Sequence, residues 1–225
     1  MKKVRVEAST KKDRTSEIFG NPMSKKVIRK AQKSKQKNQK KYGDDSKVNY
    51  QCIIRDNSCI GEPLGVKNVV VTRKEGKGSF DEEKGVIVGN IRMGFGHYRI
   101  SMAIASAAHA LGYTPYWMDL NSYPETTCTK LISAQNELYS LGSRISQKSK
   151  LFNKFVWEPV NYEGFRQLSY NAADQKNAEL MAPVYHSVPK DIPVIATHVW
   201  PAQAAVHAGM KHVVNAIPDN WPMAL

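Results

Sequence analysis

The residue of this sequence best placed for chemistry is His97, in the run VIVGNIRMGFGHYRISMAIASAAHALGYTPYWMDL. It follows Gly94-Phe95-Gly96 and stands between a short β-branched run, Val86-Ile87-Val88, and residues with helical spacing. A helix start leaves backbone N–H groups unpaired and carries positive partial charge, so it attracts anions. Gly94 and Gly96 lack side chains and let a ligand approach that backbone. A neutral imidazole there could take a proton from a hydroxyl. The plainer alternative is that the glycines only make a turn and His97 is a surface residue, because a lone G-x-G does not decide between the two. Other polar residues close apolar runs in the same way: Asp119, Thr197-His198 and Asp219. Arg99, a step into the helix, could add charge to the site or simply bond solvent.

The elements that position these residues follow from periodicity. Ile100, Ala103, Ile104, Ala107, Ala108 and Leu111 share one helix face, and Gly112 is a C-terminal stop. Tyr113–Leu120 reads as the next strand, completing a βαβ unit whose crossover is right-handed by rule. Downstream, Thr129–Ile145 reads as a helix and Leu151–Trp157 as an apolar cluster containing Phe152, Phe155 and Trp157, closed by Pro159. Such a cluster is core, unless exposure turns it into an acceptor groove or a lipid contact. Tyr162–Met181 reads as a helix stopped by Pro183, Asp191–Thr197 as a buried strand, Pro201–Gly209 as a short helix and Lys211–Ile217 as a further strand. The alternation predicts an α/β fold, a Rossmann-like parallel sheet over residues 85–225. Its cleft lies along the C-terminal strand ends, where open α/β sheets bind ligands. In residues 51–84 a short strand around Val69-Val70-Val71 and a charged stretch from Lys74 to Lys84 read as an edge strand or linker.

Charge is unevenly spread. The chain carries +13, and its first 50 residues hold 16 Lys/Arg against 5 Asp/Glu. That tail reads as disordered or loosely helical, since basic residues alternate with Gln, Asn and Ser from Lys25 to Lys41. No aromatic residue interleaves that basic stretch before Tyr42, so a base-stacking platform for nucleic acid is missing; residues 1–50 are either a solvated, solubilising tail or, if they have a partner, better suited to an anionic membrane surface. No apolar core of a signal peptide follows Met1-Lys2-Lys3, and no run approaches transmembrane length. Cys52, Cys59 and Cys128 cannot all pair, which suits a reducing, cytoplasmic setting with peripheral membrane contact. No HExxH or Cys/His set has zinc spacing, so no protein-bound metal is expected.

The run from Val86 to Leu120 resembles the opening of the monogalactosyldiacylglycerol synthase-like glycosyltransferases and of the related peptidoglycan N-acetylglucosaminyltransferases. In these a first strand enters a Gly-x-Gly-His or Gly-Gly-His turn and an alanine-rich helix. A second run, VIATHVWPAQAAVHAGMKHVVNAIPDNW, is similar to the later part of the same N-terminal domain. Together they span about residues 85–222. The resemblance implies the acceptor-binding half of a GT-B hexosyltransferase that moves a sugar from a nucleotide sugar, such as a UDP-sugar, to a glycan or lipid hydroxyl with inversion and without a bound cofactor. It implies a reaction centre at His97, a loop facing the donor phosphates at Gly94-Phe95-Gly96, and an acidic strand end at Asp219. It also implies a donor-binding domain beyond Leu225, so that this chain would be either a fragment or akin to a single-domain relative that cannot catalyse transfer alone.

Arg92-Met93 before Gly94 departs from the small residues frequent in that family. Two other classes compete. A dinucleotide-dependent oxidoreductase would use Asp119 as its ribose acid, but its third glycine falls at Arg99, where a large side chain would obstruct close helix–strand packing. A non-catalytic binding or membrane-adaptor module would need only the fold and the basic tail.

Overall fold

The computed structural model describes residues 13–74, 76, 79–164 and 166–217. In chain order the elements are β1 (Glu17–Ile18), β2 (Asn21–Pro22), α1 (Lys25–Tyr42), β3 (Gln51–Asp56), α2 (Gly61–Leu64), β4 (Lys67–Thr72), β5 (Gly85–Asn90), α3 (Phe95–Ala110), β6 (Thr114–Asp119), α4 (Thr127–Lys148), α5 (Lys150–Phe152), α6 (Leu168–Ala178), β7 (Val194–Ala196), α7 (Val199–His207) and β8 (Val213–Asn215). π-helical turns occupy Asn153–Trp157 and Val160–Gly164, and a 3-10 turn occupies Ala182–Tyr185.

β5 is the axis. All six of its residues are buried, as expected for a strand covered on both faces. The six-stranded sheet runs β3-β4-β6-β5-β7-β8, with every pair parallel except the antiparallel edge pair β3–β4. The fold is therefore α/β and Rossmann-like, as the alternation of strand and helix predicts, with one antiparallel edge. β4 is the short strand read around Val69-Val70-Val71, but it lies second from the edge, and the edge itself is β3, which the sequence does not mark. β3 is legible only through its pairing, Cys52 with Val71 and Ile54 with Val69.

Side chains alternate across β5. Val88 faces one way, packing with Val66, Ala105 and Trp117 under α3. Ile87 and Ile91 face the other way, into a larger core shared with Leu131, Val184, Val199, Trp200 and Ala204. α3 and α7 thus cover opposite faces of neighbouring strands β5 and β7. The chain leaves β5 toward β6 and returns to β7 on its other side, so a topological switch point lies between the C-terminal ends of β5 and β7. Ligand crevices of open α/β sheets form at such points.

The basic tail is corrected by the structure from residue 13 onward, while residues 1–12 lie outside the described part. Lys25–Tyr42 is an 18-residue helix whose Ser24 side chain caps it by accepting from the Val27 N–H. It lies against α6 through a small apolar cluster of Val27 with Ile18, Leu168 and Ala172, and through polar joints. Lys35 Nζ meets Glu179 at 2.6 Å, Asn38 Nδ2 donates to Asn177 at 3.0 Å and Asn177 Nδ2 donates to Ser34 at 3.2 Å. Ala31 is buried beneath. Low apolar content therefore did not prevent ordering, because that small cluster and side-chain hydrogen bonds together supply the contact.

Two helix boundaries also move. α3 starts at Phe95, so Gly96 and His97 belong to its first turn. The predicted helix over 162–181 is interrupted: π-helical backbone runs to Gly164 and α6 begins at Leu168.

Candidate functional site

The two glycines of the turn play different parts in the local geometry. Gly94 is the N-cap of α3 with φ 81° and ψ 171°, a conformation nearly exclusive to glycine, and it provides no side-chain cap. The first-turn N–H groups of a 16-residue helix are therefore left without a side-chain acceptor at the cap. Gly96 differs. Its φ is not positive, and a Cβ built on it meets nothing within 4 Å. Neither backbone conformation nor packing requires a glycine there, although glycine is a poor helix residue.

On the β6 side of this turn opens a cleft of about 710 Å³. Trp117, Tyr98, Val70 and the strongly exposed Phe95 give it apolar walls. Its polar floor is an ion pair: Arg92 Nε sits 2.7 Å from Asp119 Oδ2. Asp119 is further held by the Asn121 N–H and the Ser122 hydroxyl, both at 2.9 Å. Tyr123 closes the back of the cleft and donates its buried hydroxyl to the Val69 carbonyl at 2.8 Å.

On the β7 side lies a different cluster, at the switch point itself. His97 Nδ1 is 2.6 Å from the Thr197 carbonyl oxygen. A carbonyl only accepts, so Nδ1 carries the proton, and a neutral ring then presents its lone pair at Nε2. The Ser101 hydroxyl donates to the His97 carbonyl at 2.9 Å and lies 2.9 Å from the Thr197 hydroxyl, tying the first turn of α3 to the end of β7. The His198 ring stands edge-on to His97 with centroids 5.0 Å apart and is backed by Trp200 at 4.8 Å. His198 caps α7 by accepting the Trp200 N–H at Nδ1 (3.2 Å). Burial, with the neighbouring His97 adding to it, pushes the His198 pKa down to about 3. His198 is a neutral acceptor over the whole physiological range. The Trp200 indole in turn donates to Asp174, whose pKa burial pushes up to about 7.

Asn90 lies between the two halves. Register places it beside Asp119 on β6, and the Thr197 N–H bonded to the Gly89 carbonyl at 3.0 Å continues the ladder on the other side. Asn90 is fully buried, and its amide makes no hydrogen bond to any described residue.

The residues expected from sequence are thus distributed. Gly94, Phe95 and Asp119 meet in the cleft, while His97 and His198 form the ring pair across the turn. Arg99 is exposed and does not line the cleft. Nor does it obstruct the helix–strand approach: Ser101, Ala105 and Ala108 form the buried side of α3. Asp219 lies outside the described residues. Asn90, Ser101 and the Arg92–Asp119 pair are additions from the structure. The first of these carried a visible signal, a polar residue closing the apolar run GVIVGN. Among the described residues no group of three or more His, Cys, Asp or Glu side chains gathers as a metal site.

Residues 17–225 match the model of the family described as "Domain of unknown function (DUF6937)", and the chain belongs to that family. No curated protein and no solved structure matches it.

Proposed function

We propose that this member of the DUF6937 family is the acceptor-binding half of a glycosyltransferase, moving a sugar from a nucleotide sugar to a hydroxyl, with His97 as the base. The observation that carries this reading is the 2.6 Å contact of His97 Nδ1 with the Thr197 carbonyl. It orients the ring and leaves Nε2 as the proton acceptor, at the crevice between β5 and β7 and beside an uncapped helix start. In the reaction an acceptor oxygen attacks the anomeric carbon, the bond from that carbon to the nucleoside diphosphate breaks, and the hydroxyl proton passes to His97 Nε2. The first-turn N–H groups at Phe95, Gly96 and His97 stabilise the charge gathering on the leaving diphosphate. The apolar-walled cleft with the Arg92–Asp119 floor holds the body of the acceptor. Its mixture of aromatic wall and charged floor suits an amphiphilic hydroxyl compound such as a glycolipid precursor.

The test is release of UDP from UDP-hexoses in the presence of diacylglycerol, polyprenyl and glycan acceptors, using the full-length protein. His97→Ala is expected to lower turnover by about 10²-fold or more with unchanged thermal stability. His109→Ala, at an exposed residue lying over Gly65, is expected to alter stability at most. Turnover of His97→Ala within a few-fold of the unaltered protein would remove the assignment.

A further inference from the structure

The sequence from Leu138 to Trp157, LYSLGSRISQKSKLFNKFVW, contains four cations, many large apolar residues and no acid. In the structure it is a helical hairpin. α4 ends at Lys148, Ser149 adopts an extended conformation and caps the next turn by accepting from the Phe152 N–H, and the chain then folds back. Trp157 closes the hairpin: its ring lies against Gly142, and its centroid is 5.2 Å from that of Tyr139. The outer surface remains apolar. Leu138 is 66%, Leu151 72% and Phe155 67% exposed, and Leu141, Ile145 and Val156 are exposed with them. Arg144, Lys148, Lys150 and Lys154 stand exposed among these side chains.

We propose that this hairpin is a membrane contact that seats the protein on an anionic bilayer surface, its apolar side chains entering the headgroup boundary and its cations meeting lipid phosphates. So many large apolar side chains left exposed on one hairpin mark an interaction site. The charge pattern selects the occupant. In an isologous dimer two such hairpins would bring cations against cations with no acid between Glu137 and Glu158 to pair them. An anionic bilayer supplies both the hydrocarbon and the counter-charge. α1 offers a contrast: the side of it that bears Ala31 is used against α6, so its outward lysines could add attraction but nothing that inserts.

The hairpin begins beside the site. Asn136 Nδ2, two residues before Leu138, donates to the Arg92 carbonyl at 3.1 Å, and Arg92 lines the cleft. Seating the hairpin therefore brings the cleft to the lipid surface. A lipid-borne acceptor follows from this only if the transferase reading holds; the membrane contact itself does not depend on it.

The test is co-sedimentation of the full chain with vesicles of phosphatidylcholine alone and of an equal mixture with phosphatidylglycerol. Binding is expected to the mixed vesicles and to fall with salt. The double variant Leu151→Ser/Phe155→Ser and the triple variant Lys148→Glu/Lys150→Glu/Lys154→Glu are each expected to weaken it by about tenfold or more. Lys26→Glu/Lys30→Glu/Lys33→Glu on α1 is expected to retain it within a few-fold. Absence of binding to mixed vesicles, undiminished binding by both hairpin variants, or loss confined to the α1 variant would overturn the proposal. So would a lipid-free dimer that the hairpin variants dissociate. Sedimentation is read without turnover, so failure of the transferase assay and failure of this one are separate results.

Discussion

Gly96→Ala should separate folding from binding. Glycine at the second position of α3 leaves the unfolded chain more conformational freedom than alanine would, and its native φ suits any residue. A methyl group there meets nothing within 4 Å. Alanine is therefore expected to stabilise the fold by about 0.4–1 kcal/mol, a rise in Tm of about 1–4 °C for a chain of this size. If the open space beside Gly96 is where a diphosphate meets the first-turn N–H groups, the same methyl group displaces it. Losing one hydrogen bond to a charged oxygen, about 1.5–3 kcal/mol, weakens UDP binding by about 10- to 100-fold. Gly94→Ala is the companion: at φ 81° and ψ 171° it is expected to cost about 1–3 kcal/mol whatever it does to the ligand. Thermal denaturation and calorimetric titration with UDP measure both quantities. A Gly96→Ala protein that gains stability and binds UDP unchanged would refute the idea that the glycine is retained for a ligand.

Three further outcomes are expected. His198 has a folded pKa of about 3, well below its ordinary 6.5, so its contribution is complete above about pH 6.5 and is lost as pH falls from there toward 3, where the unfolded chain binds the extra proton. His198→Asn, which keeps a capping acceptor, is expected to reduce acid sensitivity in that window, as followed by Tm against pH. Asp174 has the opposite sign, since its pKa is raised from 3.8 to about 7: stability falls as pH rises through that range, and Asp174→Asn is expected to raise Tm more at pH 8 than at pH 4. Hydrogen exchange is expected to be slow along the buried side of α1 around Ala31, and Ser24→Ala is expected to cost about 1 kcal/mol and to speed exchange in its first turn.

Why some of this was legible and some was not follows from which interactions each residue uses. β5 and β6 announce themselves through their apolar runs, and α3 is legible as a helix but not in its orientation: it buries Ser101, Ala105 and Ala108, while Ala103, Ala107 and Leu111 of the expected apolar face are exposed, because small residues let the helix lie close to the sheet. The boundary of α3 moved because two glycines look like a turn, whereas Gly96 is helical. α1 was hidden because Ser34, Asn38 and Lys35 help hold it through hydrogen bonds, which composition does not reveal. β3 was hidden because an edge strand declares itself only through its partner. In the site, His97 and the glycines were visible as residue types. The group that orients His97 was not, because it is the carbonyl of Thr197, a backbone atom 100 residues away. The Arg92–Asp119 pair likewise depends on the loop after β5 reaching the end of β6 at the same sheet edge.

Nitrogen-15 spectra of the imidazole rings, recorded with backbone amide spectra during titration with a UDP-hexose, put the most direct question to the site. The neutral His97 ring is expected to carry its proton on Nδ1 and leave Nε2 bare, and the amides of Phe95, Gly96 and His97 are expected to move as ligand is added. A His97 ring protonated at Nε2 and bare at Nδ1, or amide shifts confined to residues away from the C-terminal edge of the sheet, would contradict both the base and the phosphate site.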